Sequence, residues 1–342
     1  MIKIETENNQ FIEFEEASRT FFYGSNQKLK RQLVRSLKRF ATGKSLSELE
    51  EIVYGENGIE IYIDGKQVKK GNIDFLFIQD NQSIYQEIDF IKKSMMFDYL
   101  QELKEDILIS EQIEKLNDEL LKLELLVNKS VERISDNVSS NFSSFNLENI
   151  FKNQLFLSFE DSEHEYPLEM MDANELLDEY LNLLEAKIKR EKQMIWLSLV
   201  NPESFLITDN IRWFMDGLEE ISERTGLLKV FIFANQAIDI EYKEYDFPHT
   251  VILLEQSHLL PELSDFKRTI ENYYPIPKEY SELELLGAFY DLVDDIGTTG
   301  KISEHMVLLK VINGIFGFDD LNYFYKIKEL SEAEKSFLLD RS

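Results

Sequence analysis

The stretch "MIWLSLVNPESFLITDNIRWFMDGLEEISERTGLLKVFIFAN" (Met194 to Asn235) decides the fold class. Its opening, "MIWLSLVN", is an almost unbroken apolar run of strand length, the pattern of a strand buried on both faces. "DNIRWFMDGLEEISERTG" reads as a helix ending at Gly226, and "LLKVFIFAN" as a second buried strand. Toward the C-terminus, "TVILLEQ" adds a strand and "LSDFKRTIENYY" a helix closed by Pro275 and Pro277. Strands interleaved with helices predict an α/β fold with a mostly parallel sheet covered on both faces.

Toward the N-terminus, "MIKIETENNQFIEFEEASRTFFYG" alternates as a β-hairpin with Asn8-Asn9 near the turn and Phe21-Phe22-Tyr23 in a further strand end. A helix is predicted from Gln27 to Phe40, with Leu29, Leu33, Leu37 and Phe40 on one side and Lys28, Arg31, Arg35, Lys38 and Arg39 on the other. "GIEIYIDGKQVKK" reads as a hairpin turning at Asp64-Gly65, and "IDFLFIQD" as a buried strand. A long helical region is predicted from about Ser83 to Ser135. In it Ile109, Ile113, Leu116, Leu120, Leu123 and Val127 form a heptad seam, the pattern of an antiparallel or oligomeric coiled coil. A short helix in "NLENIFKNQLF", an acidic loop from Glu160 to Asp172 and a return helix from Ala173 to Arg190 follow. The predicted order is head (1–82), inserted helical arm (83–191), head (192–280) and a C-terminal helical extension (281–342).

Composition narrows the function. The 342 residues are 43% hydrophobic, enough for a real core, and include no cysteine, which removes disulfides, thiolate metal sites and thiol nucleophiles. No signal pattern or run of membrane-spanning length is present, so a cytoplasmic protein without membrane attachment is expected. A net charge of −28 argues against whole-surface attraction to nucleic acid or anionic lipid. Yet from Ala17 to Ser47 there are eight basic residues (Arg19, Lys28, Lys30, Arg31, Arg35, Lys38, Arg39 and Lys44) and no acid, where chance would place about five or six acids. The favoured reading is a phosphate-contacting surface; its competitors are a solvated face paired with nearby acids and a membrane-surface helix. His164, His249, His258 and His305 are scattered without zinc-ligand spacing, and Trp196 and Trp213 read as core.

An arm inserted into an α/β head resembles the heads of chromosome-maintenance and DNA-repair ATPases of the ABC class. The chemistry of those heads is missing. After Gly24-Ser25-Asn26 there are no further loop glycines and no Lys-Ser/Thr pair; Val200 and Asn201 stand where the magnesium-binding Asp and catalytic Glu belong, and Ala234 and Asn235 where a histidine belongs. No nucleotide and no catalysis are therefore expected.

Gly24-Ser25-Asn26 before the first helix, "IWLSLVNPESFL", "ERTGLLKVFIFAN", "ENYYP" and the tail "LSEAEKSFLLD" together resemble the long form of the accessory spacer-adaptation protein of type II-A CRISPR systems, over nearly the whole chain. The resemblance implies a homotetrameric ring with a degenerate P-loop head that binds ends of double-stranded DNA without cutting them. It implies the integrase subunits and effector nuclease as partners, and calcium as a structural ion. The matching acids here are Glu132, Asp136 and Glu148, spread among serines and asparagines. On this reading Lys28, Lys30, Arg31, Arg35, Lys38, Arg39 and Lys44 contact DNA, and Gly24, Ser25 and Asn26 are the remains of the nucleotide loop. The alternatives are an active ATPase head and a coiled-coil scaffold without DNA binding.

Overall fold

The structure, a computed structural model, describes residues 1–7, 10–43, 47–55, 58–69, 71–162, 164–298, 305–318, 321, 323 and 330–339. The chain divides into two compact units, Met1–Ser83 with Ile188–Ser342, and Ile84–Lys187.

In the first unit, β1 (Ile2–Glu5) and β2 (Phe11–Phe14) form the expected antiparallel hairpin, with Ile4 opposite Ile12; residues 8 and 9 of its turn lie outside the described residues. β4 (Ile61–Ile63) and β5 (Lys66–Gln67) turn through Asp64 and Gly65 and complete a four-stranded sheet ordered β2-β1-β4-β5. β3 (Arg19–Tyr23) leaves this sheet for a larger one. There it joins β6 (Ile73–Ile78), β9 (Met194–Val200), β10 (Leu228–Phe233), β11 (Thr250–Leu253) and β12 (Ser257–Leu259) in the order β12-β11-β3-β10-β9-β6. Every pairing in it is parallel except that of β11 with β12. The predicted α/β class with a mostly parallel sheet is the observed one.

β3 shows why the sheet needs cover on both faces. All five of its residues are buried. Phe22 points to one face, stacks on Phe233 and joins Leu33 and Leu37 of α1 (Gln27–Thr42) in one apolar cluster with Ile2, Ile4 and Phe14. Tyr54 of α2 (Glu48–Tyr54) closes that cluster. Phe21 and Tyr23 point to the other face, against Tyr242 and Tyr290. Burying each Leu or Phe side chain in such layers contributes about 1.5–3 kcal/mol. The base of β3 is fixed by Arg19, whose guanidinium donates to both Asp246 carboxylate oxygens at 2.6 Å and to Glu219 at 3.0 Å. α8 (Thr208–Thr225) buries Ile211, Phe214, Met215, Leu218 and Ile221 and stops at Gly226, whose φ of 64° is the left-handed cap. α9 (Leu263–Tyr273) follows. In the tail, expected to be helical, the described residues form α10 (Glu282–Leu292), α11 (Met306–Ile315) and α12 (Glu332–Leu339).

The chain leaves this unit in α3 (Asn81–Ile88) and returns to it in α7 (Ala173–Glu191). Between them the helical region expected to about Ser135 is present, with a break between α4 (Met95–Glu102) with its 3-10 turn and α5 (Ile107–Val131). The break is local chemistry: Ser94 caps the Phe97 amide, and Asp106 Oδ1 takes the amides of Leu108 and Ile109. Of the seam residues of α5, Leu116 and Leu123 are exposed. An extended return run is held by polar side chains on a neighbouring stripe of the helix. Asn117 exchanges hydrogen bonds with the backbone of Phe145, Glu124 accepts from the Phe142 amide, and Asn128 brackets the backbone of Ser140. No residue of α5 is fully buried. After α6 (Leu147–Gln154), the acidic stretch expected as a loop is partly a hairpin, β7 (Ser158–Glu160) with β8 (Glu165–Pro167). Asp161 makes its turn by accepting the His164 amide at 2.7 Å.

Candidate functional site

The turn from β3 into α1 is short and closed. Gly24 has φ 109°, and a side chain there would collide with the backbone of Leu253, its Cβ only 2.8 Å from the Leu253 nitrogen. Asn26 donates its backbone amide to the Leu253 carbonyl at 3.1 Å and its side-chain amide to the Leu254 carbonyl at 2.5 Å. Its Oδ1 caps α1 by accepting the Leu29 amide at 3.0 Å. Ser25 is exposed. A phosphate cradle needs several backbone amides converging on an open point. Here the polar groups of Asn26 are spent on the end of β11 and on the helix itself.

Behind this turn, at the carboxyl ends of β9 and β10, lies a polar cluster. Asn201 adopts the left-handed conformation, φ 52°, and its amide donates to the Phe233 carbonyl. Glu203 accepts the Asn235 amide at 2.8 Å. Lys30 reaches in from α1 and donates to the Ala234 carbonyl and, at 3.3 Å, to Asn235 Oδ1. Lys30 is only 3% exposed. Burial pulls its ammonium down to about 8, against the partly offsetting charge of Glu203. Burial also holds the Glu203 carboxyl above its ordinary range, opposed by the amide of Asn235 and the charge of Lys30. Lys30, expected with the other cations to contact DNA, is instead buried, and its amine ties α1 to the strand ends.

The outward row divides in two. Lys28 and Arg31 are exposed and have no side-chain partner among the described residues. The three cations further along the helix are engaged. Arg35 donates to Glu7 at 2.6 Å, while the other Glu7 oxygen accepts from Gln32 at 2.7 Å. Lys38 donates to Gln79 at 2.7 Å and sits over the Phe77 ring, and its ammonium is lowered by burial, partly offset by Asp80. Arg39 lies 2.9 Å from a Glu50 oxygen and donates to Thr42. Lys44 lies outside the described residues.

The three carboxylates matched to calcium do not converge. Glu132 is the C-cap residue of α5, Asp136 lies in the turn that follows, and Glu148 sits in the first turn of α6, 3.9 Å from Lys104. Among the described residues no group of three or more His, Asp or Glu could hold a metal ion. They do not fit a calcium site. Trp196 is buried in β9 as expected, whereas Trp213 is 43% exposed.

With this geometry in place, the comparison with solved structures is informative. The chain is similar in fold to Stu0660 of Streptococcus thermophilus. The two superpose with a TM-score of 0.78 at 16% identity, covering 97% of this chain and 98% of that one. An SMC head bound to the C-winged helix domain of ScpA gives a TM-score of 0.42 at 10% identity over 78% of this chain and 98% of that one. RecF, of the RecFOR pathway, gives 0.37 at 16% identity over 76% of this chain and 97% of that one. Agreement at those last two levels does not fix a common fold. No family model and no curated protein matches the sequence.

The sequence pointed to neither Glu203 nor Glu7, and to Asn235 only as a place where a histidine is lacking. Glu203 and Asn235 lie in the apolar-strand boundaries "VNPES" and "FAN", where their polarity in a buried setting was the available signal. Glu7 lies ten residues upstream of the acid-free window and meets α1 only through the fold.

Proposed function

We propose that the protein is a non-catalytic, double-stranded-DNA-end-binding protein of type II-A CRISPR adaptation, with a head of P-loop-ATPase descent that has lost its nucleotide site. It works in the cytoplasm as a homotetrameric ring and partners the integrase subunits and the effector nuclease in spacer acquisition. The observation that carries this reading is the β3–α1 junction. Its turn is closed onto β11, and Lys30 places an ammonium among the strand ends, while the helix behind it turns Lys28 and Arg31 outward. Phosphoryl transfer needs a magnesium ion, a cradle and a positioned water; the Glu203 carboxylate at the strand ends instead accepts the Asn235 amide and faces the charge of Lys30. The fold shared with Stu0660 and the sequence resemblance support the same assignment. Among the described residues no helix is long and apolar enough to cross a membrane.

Two titrations test the proposal. Linear duplex binds in a salt-dependent manner and closed circular duplex binds poorly; equal affinity for the two would refute threading of an end. ATP with Mg²⁺ gives no saturable binding, and tight binding would overturn the non-catalytic reading.

A further inference from the structure

The cations of α1 are not all free, and the way they are engaged has a direction. Glu7, just beyond β1, spreads its two oxygens over one turn of the helix, one on Arg35 at 2.6 Å and one on Gln32 at 2.7 Å. That is the two-point grip a phosphate oxygen pair would make on the same groups. The Glu7 side chain is itself largely sheltered, 15% exposed, while Arg35 remains 60% exposed. One turn on, Glu50 faces Arg39 at 2.9 Å, and the Ser47 capping box of α2 holds its carboxylate in place. The hydroxyl of Tyr54, a buried residue, feels the same groups: its pKa is raised by burial and by the charge of Glu7, with Arg35 opposing. The strip therefore runs from bare (Lys28, Arg31) to covered (Arg35, Arg39).

We propose that Glu7 is a built-in phosphate mimic that covers Arg35 until a polyanion seated on Lys28 and Arg31 displaces it. The proposal rests on the reading that α1 meets DNA phosphates. A partly exposed ion pair is worth about 0–1 kcal/mol, so the cover is easily exchanged. A lone anion must break that pair for a single contact, whereas a duplex already held by neighbouring phosphates loses little by doing so. The cover thus selects dense polyanions over free phosphate, and it keeps the strip from collecting small anions.

The test uses the full chain, a labelled linear duplex and the variant Glu7→Gln, which keeps the shape of the side chain and removes its charge. Glu7→Gln binds the duplex about two- to fivefold tighter at low salt, because the ion pair no longer has to be broken, with an unchanged log–log salt slope because Arg35 meets a phosphate in both chains. Adding Arg35→Gln to it abolishes the gain. Without DNA, phenylglyoxal modifies Arg35 several-fold faster in Glu7→Gln, read by peptide mass, with circular dichroism confirming the fold. Arg31→Glu serves as the control for the surface. If Arg31→Glu weakens binding while Glu7→Gln changes neither affinity nor the modification rate, the cover is refuted and the DNA surface stands. If neither variant alters DNA binding, α1 is not the interface and the proposal fails with it.

Discussion

Replacing Lys30 by Met separates the structural cation of α1 from the outward ones. The ammonium is buried and its pKa falls to about 8 from an ordinary value of 10.5. Between those two pH values the unfolded chain holds the Lys30 proton and the folded chain does not. Folding then releases a proton, and stability rises as pH increases through the window. The slope is about 1.4 kcal/mol per pH unit, so wild type gains about 2 kcal/mol relative to Lys30→Met between about pH 7.5 and about pH 9.5. Urea unfolding at the two pH values, followed through the fluorescence of the buried Trp196, measures both chains, and their difference cancels the titration of all shared groups. Duplex affinity at neutral pH stays within about twofold of wild type, because the lost amine faces the strand ends and no phosphate contact is removed. Parallel pH dependence in the two chains would refute the buried, proton-depleted lysine. A loss of DNA binding as large as that of Arg31→Glu, with the fold intact, would return Lys30 to the interface.

Other variants probe the frame. Leu37→Ala, at a position with no exposure, lowers the unfolding free energy by about 2–5 kcal/mol in urea titration, and a loss under about 1 kcal/mol would contradict the packing of α1 on the sheet. Gly24→Ala adds a methyl at φ 109° against the Leu253 backbone; a drop in midpoint equivalent to about 3 kcal/mol or failure to fold is expected, and wild-type stability would show that the turn is not closed onto β11. Arg31→Glu weakens linear-duplex binding about tenfold by fluorescence anisotropy, whereas Asp136→Asn leaves it unchanged. The triple variant Glu132→Gln, Asp136→Asn, Glu148→Gln keeps the wild-type response of its light-scattering mass to calcium; loss of that response would bring the three carboxylates into one site.

What the sequence revealed follows from how local each signal is. β9 and β10 were legible because unbroken apolar runs of strand length have few other uses in an α/β chain, and α8 because Gly226 supplies the left-handed stop its C-terminus needs. The two faces of α1 were legible for the same reason. Lys30 was counted with the DNA-contacting cations on its charge, although at about 100° per residue it lies roughly 20° from the buried Leu37, on the core side of the helix. Its partners, the Ala234 carbonyl and Asn235, are over two hundred residues away in the chain, and no local pattern announces them. The same distance hid the departure of β3 from the N-terminal hairpin into the larger sheet. The apolar spacing of α5 could not say that an extended run would be gripped by its Asn117, Glu124 and Asn128.

The ladder on α5 has a consequence for what the return run tolerates. Asn117 and Glu124 grip main-chain groups of Phe145 and Phe142, so the grip is blind to the side chains there, whereas Asn128 holds both the backbone and the hydroxyl of Ser140. The ladder is not blind to residue count. Any residue but proline at 142 or 145 leaves those rungs a peptide N–H to hold, whereas removing one residue puts every later rung out of phase. This stretch therefore tolerates a change of side chain while its length is held fixed, and a single substitution at 142 or 145 is the place for a probe.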